Sequence, residues 1–152
     1  MGHIVIQGHV DAPIERVFAF ACDSKRTHEW AGWISNVDAG DGFAAVGQHV
    51  HGTGRLLGRS MEMESDIVEF ERPRLLTLKG TTSLGSVWTW RSELKSGVGG
   101  GTDFTWDYDY TTPGALQAIF DRLVVERAME RNLKNSRDTV IDVLNAEVRQ
   151  PA

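Results

Sequence analysis

The stretch GTDFTWDYDY, residues 101–110, carries a large aromatic ring at every second position: Phe104, Trp106, Tyr108 and Tyr110. Threonine and aspartate occupy the positions between the rings. Because successive side chains of a β-strand point to opposite faces, this pattern predicts a strand with one aromatic face and one solvated face. The stretch SVWTWRSEL, residues 86–94, repeats the pattern with Trp88 and Trp90. We predict that both aromatic rows point into the protein.

Two interpretations of the inward rings are open: they fill a solid core, or they line a cavity. As a core they would pack against Leu116, Phe120 and Leu123 of the C-terminal segment. However, Trp and Tyr carry an N–H or O–H group that needs a partner when buried. A solid core is built more simply from Leu, Ile and Val. The set of rings therefore favours an apolar pocket with a few polar groups on its wall.

Composition limits the class of protein. The chain has 152 residues, of which 41% are hydrophobic and 24% are charged, so we predict a single globular domain spanning residues 1–152. The net charge of −5 and the lack of a basic cluster argue against nucleic-acid binding. No apolar run is long enough to span a membrane, and the N-terminus lacks the pattern of a signal peptide. The lone Cys22 precludes an internal disulfide and indicates a cytoplasmic location.

The order of elements predicts an α+β fold. Residues 3–11 form a first strand, residues 11–33 form two short helices, and a brief strand follows. From Val46 onward, five more segments with a period of two are separated by turn residues, which predicts an antiparallel meander. About 35 residues between Gly114 and Pro151 contain no Pro or Gly and predict one long helix that covers the sheet.

The predicted long helix has two apolar stripes. The first consists of Leu116, Ile119, Phe120 and Leu123, and the second of Met129, Leu133, Ser136, Val140 and Leu144. The stripes are out of phase around residues 124–128. Such a helix either bends at this point or has halves that face different surroundings, and we favour the second alternative.

This order, with its landmarks, resembles the Bet v 1-like, START-like (SRPBCC) superfamily, and within it the polyketide cyclase/dehydrase branch. The matching segments are VDAPIERVFAFACD, HEWAGWISNV, AVGQHVH and DIVEFERPRLLTL, followed by the long helix, over about residues 3–147. The resemblance implies a helix-grip fold, in which a curved antiparallel sheet wraps around the helix and leaves a cavity for an apolar ligand. It does not specify one activity.

Two arginines are candidates for chemistry. Arg59 shares the parity of Met61 and Met63 and is a candidate buried cation that could hold a carboxylate or enolate. The resemblance implies an inward arginine that orients a polyketide. Arg55 and His51 belong to a polar row on the preceding strand, which either faces solvent or places one of them at the pocket rim. A tyrosine such as Tyr108, or a histidine, would move protons.

Metal and cofactor sites are not expected. His49 and His51 have the spacing of two ligands on one strand face, but no third ligand is evident nearby. Phosphate-binding glycine loops and catalytic triads are also missing from the sequence. We therefore predict no cofactor, and a hydrophobic small molecule as the partner of a monomer or homodimer.

The predicted ligand-binding residues combine the aromatic rows with their neighbours. Trp30 and Trp33 either anchor the second helix to the sheet or close the cavity mouth. The full set is Trp30, Trp33, Met61, Met63, Trp88, Trp90, Phe104, Trp106, Tyr108, Leu116 and Phe120.

Three functions fit these residues. The first is a binder of a hydrophobic, aromatic or polycyclic molecule; if it is an enzyme, the expected reaction is an aldol cyclisation and dehydration, with Arg59, Arg55 and Tyr108 as catalytic residues. The second is a lipid or quinone carrier without chemistry. The third is a co-chaperone-like interaction module, which predicts a cavity filled by its own side chains and an exposed apolar patch.

Overall fold

A single antiparallel sheet of seven strands dominates the computed structural model, which describes residues 2–111 and 114–149. The strands are β1 (Gly2–Val10), β2 (Ile34–Asp38), β3 (His49–Leu56), β4 (Arg59–Glu71), β5 (Leu75–Thr82), β6 (Val87–Ser96) and β7 (Thr102–Tyr110). Their order in the sheet is β1-β7-β6-β5-β4-β3-β2. The predicted meander is confirmed, and β1 joins it by pairing with β7.

Short helices lie between β1 and β2, as predicted. They are α1 (Ile14–Cys22), a 3-10 turn (Ser24–Arg26) and α2 (Thr27–Trp30). The side chain of Asp23 accepts a hydrogen bond from the backbone N–H of Lys25, at 3.2 Å, and so caps the 3-10 turn. Trp33 lies beyond the end of α2, in the turn that leads into β2.

The two aromatic strands are direct neighbours, and their inward residues face each other. Trp88 pairs with Tyr110, Trp90 with Tyr108, and Leu94 with Phe104. Side chains at such directly opposed positions lie on the same face of the sheet and pack against each other. The predicted parity of both rows is therefore confirmed.

The C-terminal segment contains two helices, α3 (Gly114–Gln117) and α4 (Arg122–Arg149), so the prediction of one uninterrupted helix is wrong. The chain leaves helical geometry at residues 118–121. Asp121 then starts α4, because its carboxylate accepts a hydrogen bond from the backbone N–H of Leu123 at 2.9 Å. The first apolar stripe is only partly buried, since Leu116 is buried whereas Ile119 and Leu123 are 53% and 49% exposed.

Helix α4 covers the concave face of the sheet with its second stripe. All five residues of that stripe are buried, which confirms this part of the prediction: Met129, Leu133, Ser136, Val140 and Leu144. Val125 and Ala128 extend the buried face toward the N-terminus of α4. The sheet and α4 are thus the two walls between which a site can form.

Candidate ligand-binding cavity

A cavity of about 140 Å³ lies between α4 and the inward face of the sheet. Leu133, Ser136 and Val140 of α4 form one wall. Strands β3 to β7 form the opposite wall, and α1, α2 and the segments that follow them contribute the rest. Of the predicted ligand-binding residues, the structure places these on the cavity: Trp30, Trp33, Met63, Trp88, Trp90, Phe104, Trp106 and Tyr108.

All five tryptophans of the chain line this one cavity. Trp106 is central among them: its ring centroid lies 4.9 Å from that of Trp90 and 5.6 Å from that of Trp30. Phe104 lies 5.1 Å from Trp106, and Trp88 lies 6.4 Å from Tyr108. These separations are in the range that aromatic pairs prefer. The rings therefore support each other and hold the wall in place.

Glycines on β3 allow neighbouring groups to pack closely against the sheet beside the cavity. Gly52 and Gly54 occupy inward positions of this strand, where other strands carry large side chains. A Cβ atom at Gly54 would lie only 2.6 Å from the backbone oxygen of Trp33, which is too close for any other residue without movement. The absence of side chains here brings the Trp33 turn against the sheet, where its carbonyl accepts a hydrogen bond from Arg55 N–H at 2.9 Å.

Three predicted ligand-binding residues lie elsewhere. Met61 borders a separate, smaller cavity of about 20 Å³. Leu116 is fully buried and packs in the core, while Phe120 is only partly buried in the connection between α3 and α4. Neither borders the main cavity, because the break at residues 118–121 takes them away from the part of α4 that faces it.

The two predicted catalytic arginines lie outside the cavity. Arg59 is exposed, so its assignment as a buried cation is wrong. It is the first residue of β4, directly after the turn at Leu57–Gly58, and at the end of a strand the parity rule no longer forces a side chain inward. Arg55 is also exposed, and its guanidinium donates a hydrogen bond to the Gly58 carbonyl at 2.8 Å. The polar row of β3 therefore takes the solvent-facing alternative.

Tyr108 alone among the three predicted catalytic residues borders the cavity. Burial, and to a smaller extent the neighbouring Tyr110, raises the pKa of its phenol above the ordinary value of 10. The phenol therefore stays neutral at physiological pH and can donate or accept a hydrogen bond. Burial also raises the pKa of the Cys22 thiol to about 11, which leaves it protonated and unreactive at neutral pH.

The wall of the cavity is almost entirely apolar. No Asp, Glu, Lys, Arg or His side chain lines it within residues 2–111 and 114–149. Four of its polar atoms are covered from solvent and have no hydrogen-bond partner in this part of the chain: Thr27 Oγ1, Trp30 Nε1, Trp33 Nε1 and Trp88 Nε1. The described residues also contain no cluster of three or more potential metal ligands.

Sequence reasoning missed several wall residues. Ser65 and Ser92 share the inward parity of Met63 and Trp90, and this parity is the signal that identifies them. Thr27 and Phe43 carry no such signal, because the first belongs to a single helical turn and the second to a loop. The residues of the wall that were not predicted are Val17, Phe20, Ala21, Thr27, Ala31, Ile34, Val37, Phe43, Val50, Gly52, Ser65, Leu76, Leu78, Ser92, Leu94, Leu133, Ser136 and Val140.

A comparison with protein families shows to which family the chain belongs. A family profile described as polyketide cyclase/dehydrase and lipid transport matches residues 1–144. The chain belongs to this family. The predicted relationship to the SRPBCC superfamily is thereby confirmed, and membership of the polyketide cyclase/dehydrase and lipid-transport family supports a ligand-binding domain. No curated protein sequence matches the chain significantly.

Solved structures of other proteins show the same helix-grip fold. A START superfamily protein from Mycobacterium smegmatis superposes with a TM-score of 0.75 at 10% identity, covering 95% of this chain and 98% of the other. A protein from Thermus thermophilus gives 0.73 at 15% identity, covering 96% and 99%. The major latex-like protein 151 of Panax ginseng gives 0.67 at 16% identity, covering 94% and 97%. At these identities the likeness establishes the fold alone.

None of the helices in the described residues is both long enough and apolar enough to cross a membrane.

Proposed function

We propose that this protein binds a hydrophobic aromatic small molecule in the main cavity and releases it unchanged. The observation that carries the proposal is a cavity of about 140 Å³ lined by every tryptophan of the chain and by no charged side chain of the described residues. An engineered apolar cavity of about 150 Å³ in another protein takes up benzene, so a guest of one or two rings matches this volume.

The character of the wall favours binding over catalysis. General acid–base chemistry needs a group whose pKa lies near the working pH, usually a carboxyl or an imidazole. The described wall offers only hydroxyl and indole groups, and burial moves the pKa of Tyr108 away from neutrality. Arg55 and Arg59 lie outside the cavity and are exposed, so neither is placed to stabilise an enolate within it.

A second candidate function is the aldol cyclisation and dehydration of a polyketide-like chain. The specific observation in its favour is the neutral phenol of Tyr108 on the cavity wall, which could donate a hydrogen bond to a carbonyl oxygen of a folded substrate. In this case catalysis would depend on positioning and exclusion of water, without a charged group.

The third alternative, an interaction module with a filled core, is disfavoured. That function predicts a cavity occupied by the protein's own side chains, whereas the concave face of the sheet encloses open volume.

Titration with small aromatic molecules tests the proposal. Tryptophan emission is recorded while toluene or naphthalene is added, with N-acetyltryptophanamide as a control for optical absorption by the ligand. We expect a saturable change for the protein and none for the control, because every tryptophan borders the site. A flat response together with no heat of binding in calorimetry would exclude the cavity as a binding site.

Recovery of the ligand separates the two candidates. After incubation with a linear poly-β-ketone thioester analogue, the mixture is extracted and analysed by mass spectrometry. A carrier returns the compound at the rate of its spontaneous decay. Cyclised, dehydrated product formed faster than in buffer, and lost in a Tyr108→Phe variant, would favour the enzyme.

A further inference from the structure

Three unpartnered polar atoms of the cavity wall come from one short segment. Thr27, Trp30 and Trp33 follow each other at intervals of three residues, and each borders the cavity. The hydroxyl of Thr27 and the indole N–H groups of the two tryptophans are covered from solvent and have no hydrogen-bond partner within residues 2–111 and 114–149. Trp88 adds a fourth such group from β6.

Such an arrangement is energetically unfavourable unless something pairs with it. A buried donor without a partner destabilises a protein by about 1–3 kcal/mol, and native structures contain few of them. Thr77 Oγ1 is the one further side-chain atom of this kind in the described part of the chain, and it does not border the cavity. Unpaired donors are thus concentrated in residues that line the cavity, although the donor atoms themselves are covered.

The electrostatics of the same segment exclude a charged guest. No charged side chain of the described residues lines the cavity. Arg26 is the nearest arginine in sequence, but its guanidinium is already paired, with Glu29 at 2.8 Å and with Glu147 at 2.5 Å. A carboxylate buried in this cavity would lose its hydration and find no cation, which is strongly unfavourable.

We propose that the ligand is an uncharged aromatic molecule that carries carbonyl or ether oxygens, such as an aryl ketone or a quinone, and that these oxygens face residues 27–33. The indole N–H groups of Trp30 and Trp33 donate to the oxygen, and small rotations of these side chains expose the donors as the ligand enters. The aromatic part packs on Trp90 and Trp106. This inference rests on the proposed function and specifies the ligand class for the same cavity.

Three ligands of matched size test the ligand class. Acetophenone carries a carbonyl oxygen, ethylbenzene has nearly the same shape without an acceptor, and benzoate is charged at neutral pH. In calorimetry we expect acetophenone to bind about 3- to 10-fold more tightly than ethylbenzene, which is the ordinary gain from one hydrogen bond. We expect no detectable binding of benzoate.

Tryptophan variants test which indole N–H groups donate to the ligand oxygen. Trp30→Phe removes one of the two donating N–H groups and keeps an aromatic ring, so we expect the preference for acetophenone over ethylbenzene to fall. The double variant Trp30→Phe/Trp33→Phe removes both donors and should bring the preference toward about 1. Trp90→Phe is the matched control: it makes the same chemical change on the same wall, at an indole that is not among the unpaired donors. This control should weaken both ligands by a similar factor and keep the preference.

A smaller change guards against a folding defect. Thr27→Val removes only the hydroxyl and keeps the shape of the side chain. It should lower the affinity for acetophenone and leave that for ethylbenzene unchanged, because the ligand oxygen faces residues 27–33. Thr77→Val removes the other unpaired hydroxyl, away from the cavity, and should change neither affinity.

The outcomes distinguish this inference from the function on which it rests. Equal binding of ethylbenzene and acetophenone overturns the inference and leaves an apolar binding protein. Binding of benzoate as tight as that of acetophenone overturns the requirement for an uncharged ligand. Failure of all three ligands to bind contradicts the proposed function itself.

Discussion

Thr77 shows how a single hydroxyl affects this fold. It lies in the middle of β5, with only 4% of its surface exposed, and its Oγ1 has no hydrogen-bond partner in the described residues. Water would satisfy this hydroxyl in the unfolded chain. Folding therefore removes a hydrogen bond without replacing it, and the free energy of unfolding is lower than it would be with an apolar group of the same shape.

Replacing Thr77 by valine should stabilise the protein. We expect Thr77→Val to raise the free energy of unfolding by about 1 kcal/mol, because valine has the same shape, suits a strand and leaves no polar group unpaired. Urea denaturation measures the change. Thr81→Val on the same strand is the control, since Thr81 is exposed and its hydroxyl is hydrated in both states. A gain no larger for Thr77 than for Thr81 would contradict this account.

At the residue scale, alternation along the strands was predictable and the ends of the strands were not. The inward rows of β6 and β7 follow from parity alone, because hydrogen bonds on both sides hold these strands flat in the sheet. Arg59 has the same parity as Met61 but lies next to the turn at Leu57–Gly58. There the side chain reaches solvent past the end of the sheet, and the alternation of residues along the strand does not show where the sheet ends.

At the scale of elements, α4 determines how much of the concave face stays open. Ser136 is buried on the cavity wall between Leu133 and Val140, at a position where an ordinary core helix would carry a large apolar residue. Its hydroxyl donates to the carbonyl of Asn132 in the preceding turn, at 2.8 Å, and so needs no partner from the sheet. A small residue here preserves volume at the expense of apolar contacts.

A large apolar side chain at position 136 should abolish ligand binding and raise the stability of the protein. In Ser136→Leu the longer side chain enters the cavity, and we expect the free energy of unfolding to rise by about 1–2 kcal/mol from the added apolar burial. Affinity for small aromatic molecules should fall below detection. Chemical denaturation and calorimetry measure the two effects.

The matched variant for this test is Ser136→Ala, which also removes the hydroxyl but leaves the volume open. It should bind aromatic ligands like the unmodified protein. If Ser136→Leu still binds them with unchanged affinity, the ligand site is not the cavity described here.

The C-terminal segment marks the limit of prediction at this scale. The second apolar stripe, from Met129 to Leu144, fits one face of a helix and is buried as predicted. The break at residues 118–121 involves neither Gly nor Pro, so the usual signals of a helix end were missing. The signal that did exist was Asp121, whose side chain caps α4, but Asp138 and Asp142 lie within the same helix, so an aspartate by itself does not identify a boundary.

At the scale of the whole molecule, the order of elements was sufficient to predict the fold, whereas the cavity depends on distances that no pattern encodes. Its volume reflects how far α4 stands from the sheet and how closely Gly54 allows the Trp33 turn to approach. The same rings would have formed a solid core with α4 a few ångströms closer. The choice between core and cavity therefore required the structure.

The outer face of the sheet carries most of the histidines. Four of the five in the chain lie beside carboxylates on neighbouring strands. His3 and His9 of β1 contact Asp109 and Asp103 of β7, and the pair on β3 contacts acids of β4. In a chain with a net charge of −5, these imidazole rings separate neighbouring acids and hydrogen-bond to them.

His49 links this arrangement to the pH dependence of stability. Hydrogen bonds to Asp66 and then to Glu64 raise the pKa of His49 above its ordinary value of 6.5. The bonds from His51 and His49 lower the pKa of Glu64 below 4.5. The stability that His49 contributes is complete below pH 6.5 and is lost as the pH rises through the raised pKa of His49. The stability that Glu64 contributes is present above pH 4.5 and is lost as the pH falls through the lowered pKa of Glu64. Both contributions are therefore present between these two values.

Removing His49 should consequently affect the melting temperature only over part of the pH range. We expect His49→Gln to melt at a lower temperature than the unmodified protein at about pH 5.5, and the difference to shrink toward about pH 9 as the pH rises through the raised pKa of His49. The side chains of His49 and Glu64 are both exposed, so added salt at about 0.5 M should reduce the difference in melting temperature at the lower pH by screening. Thermal melts followed by circular dichroism measure it. A difference that is the same at both pH values, or insensitive to salt, would mean that His49 stabilises the sheet by packing rather than by its charge.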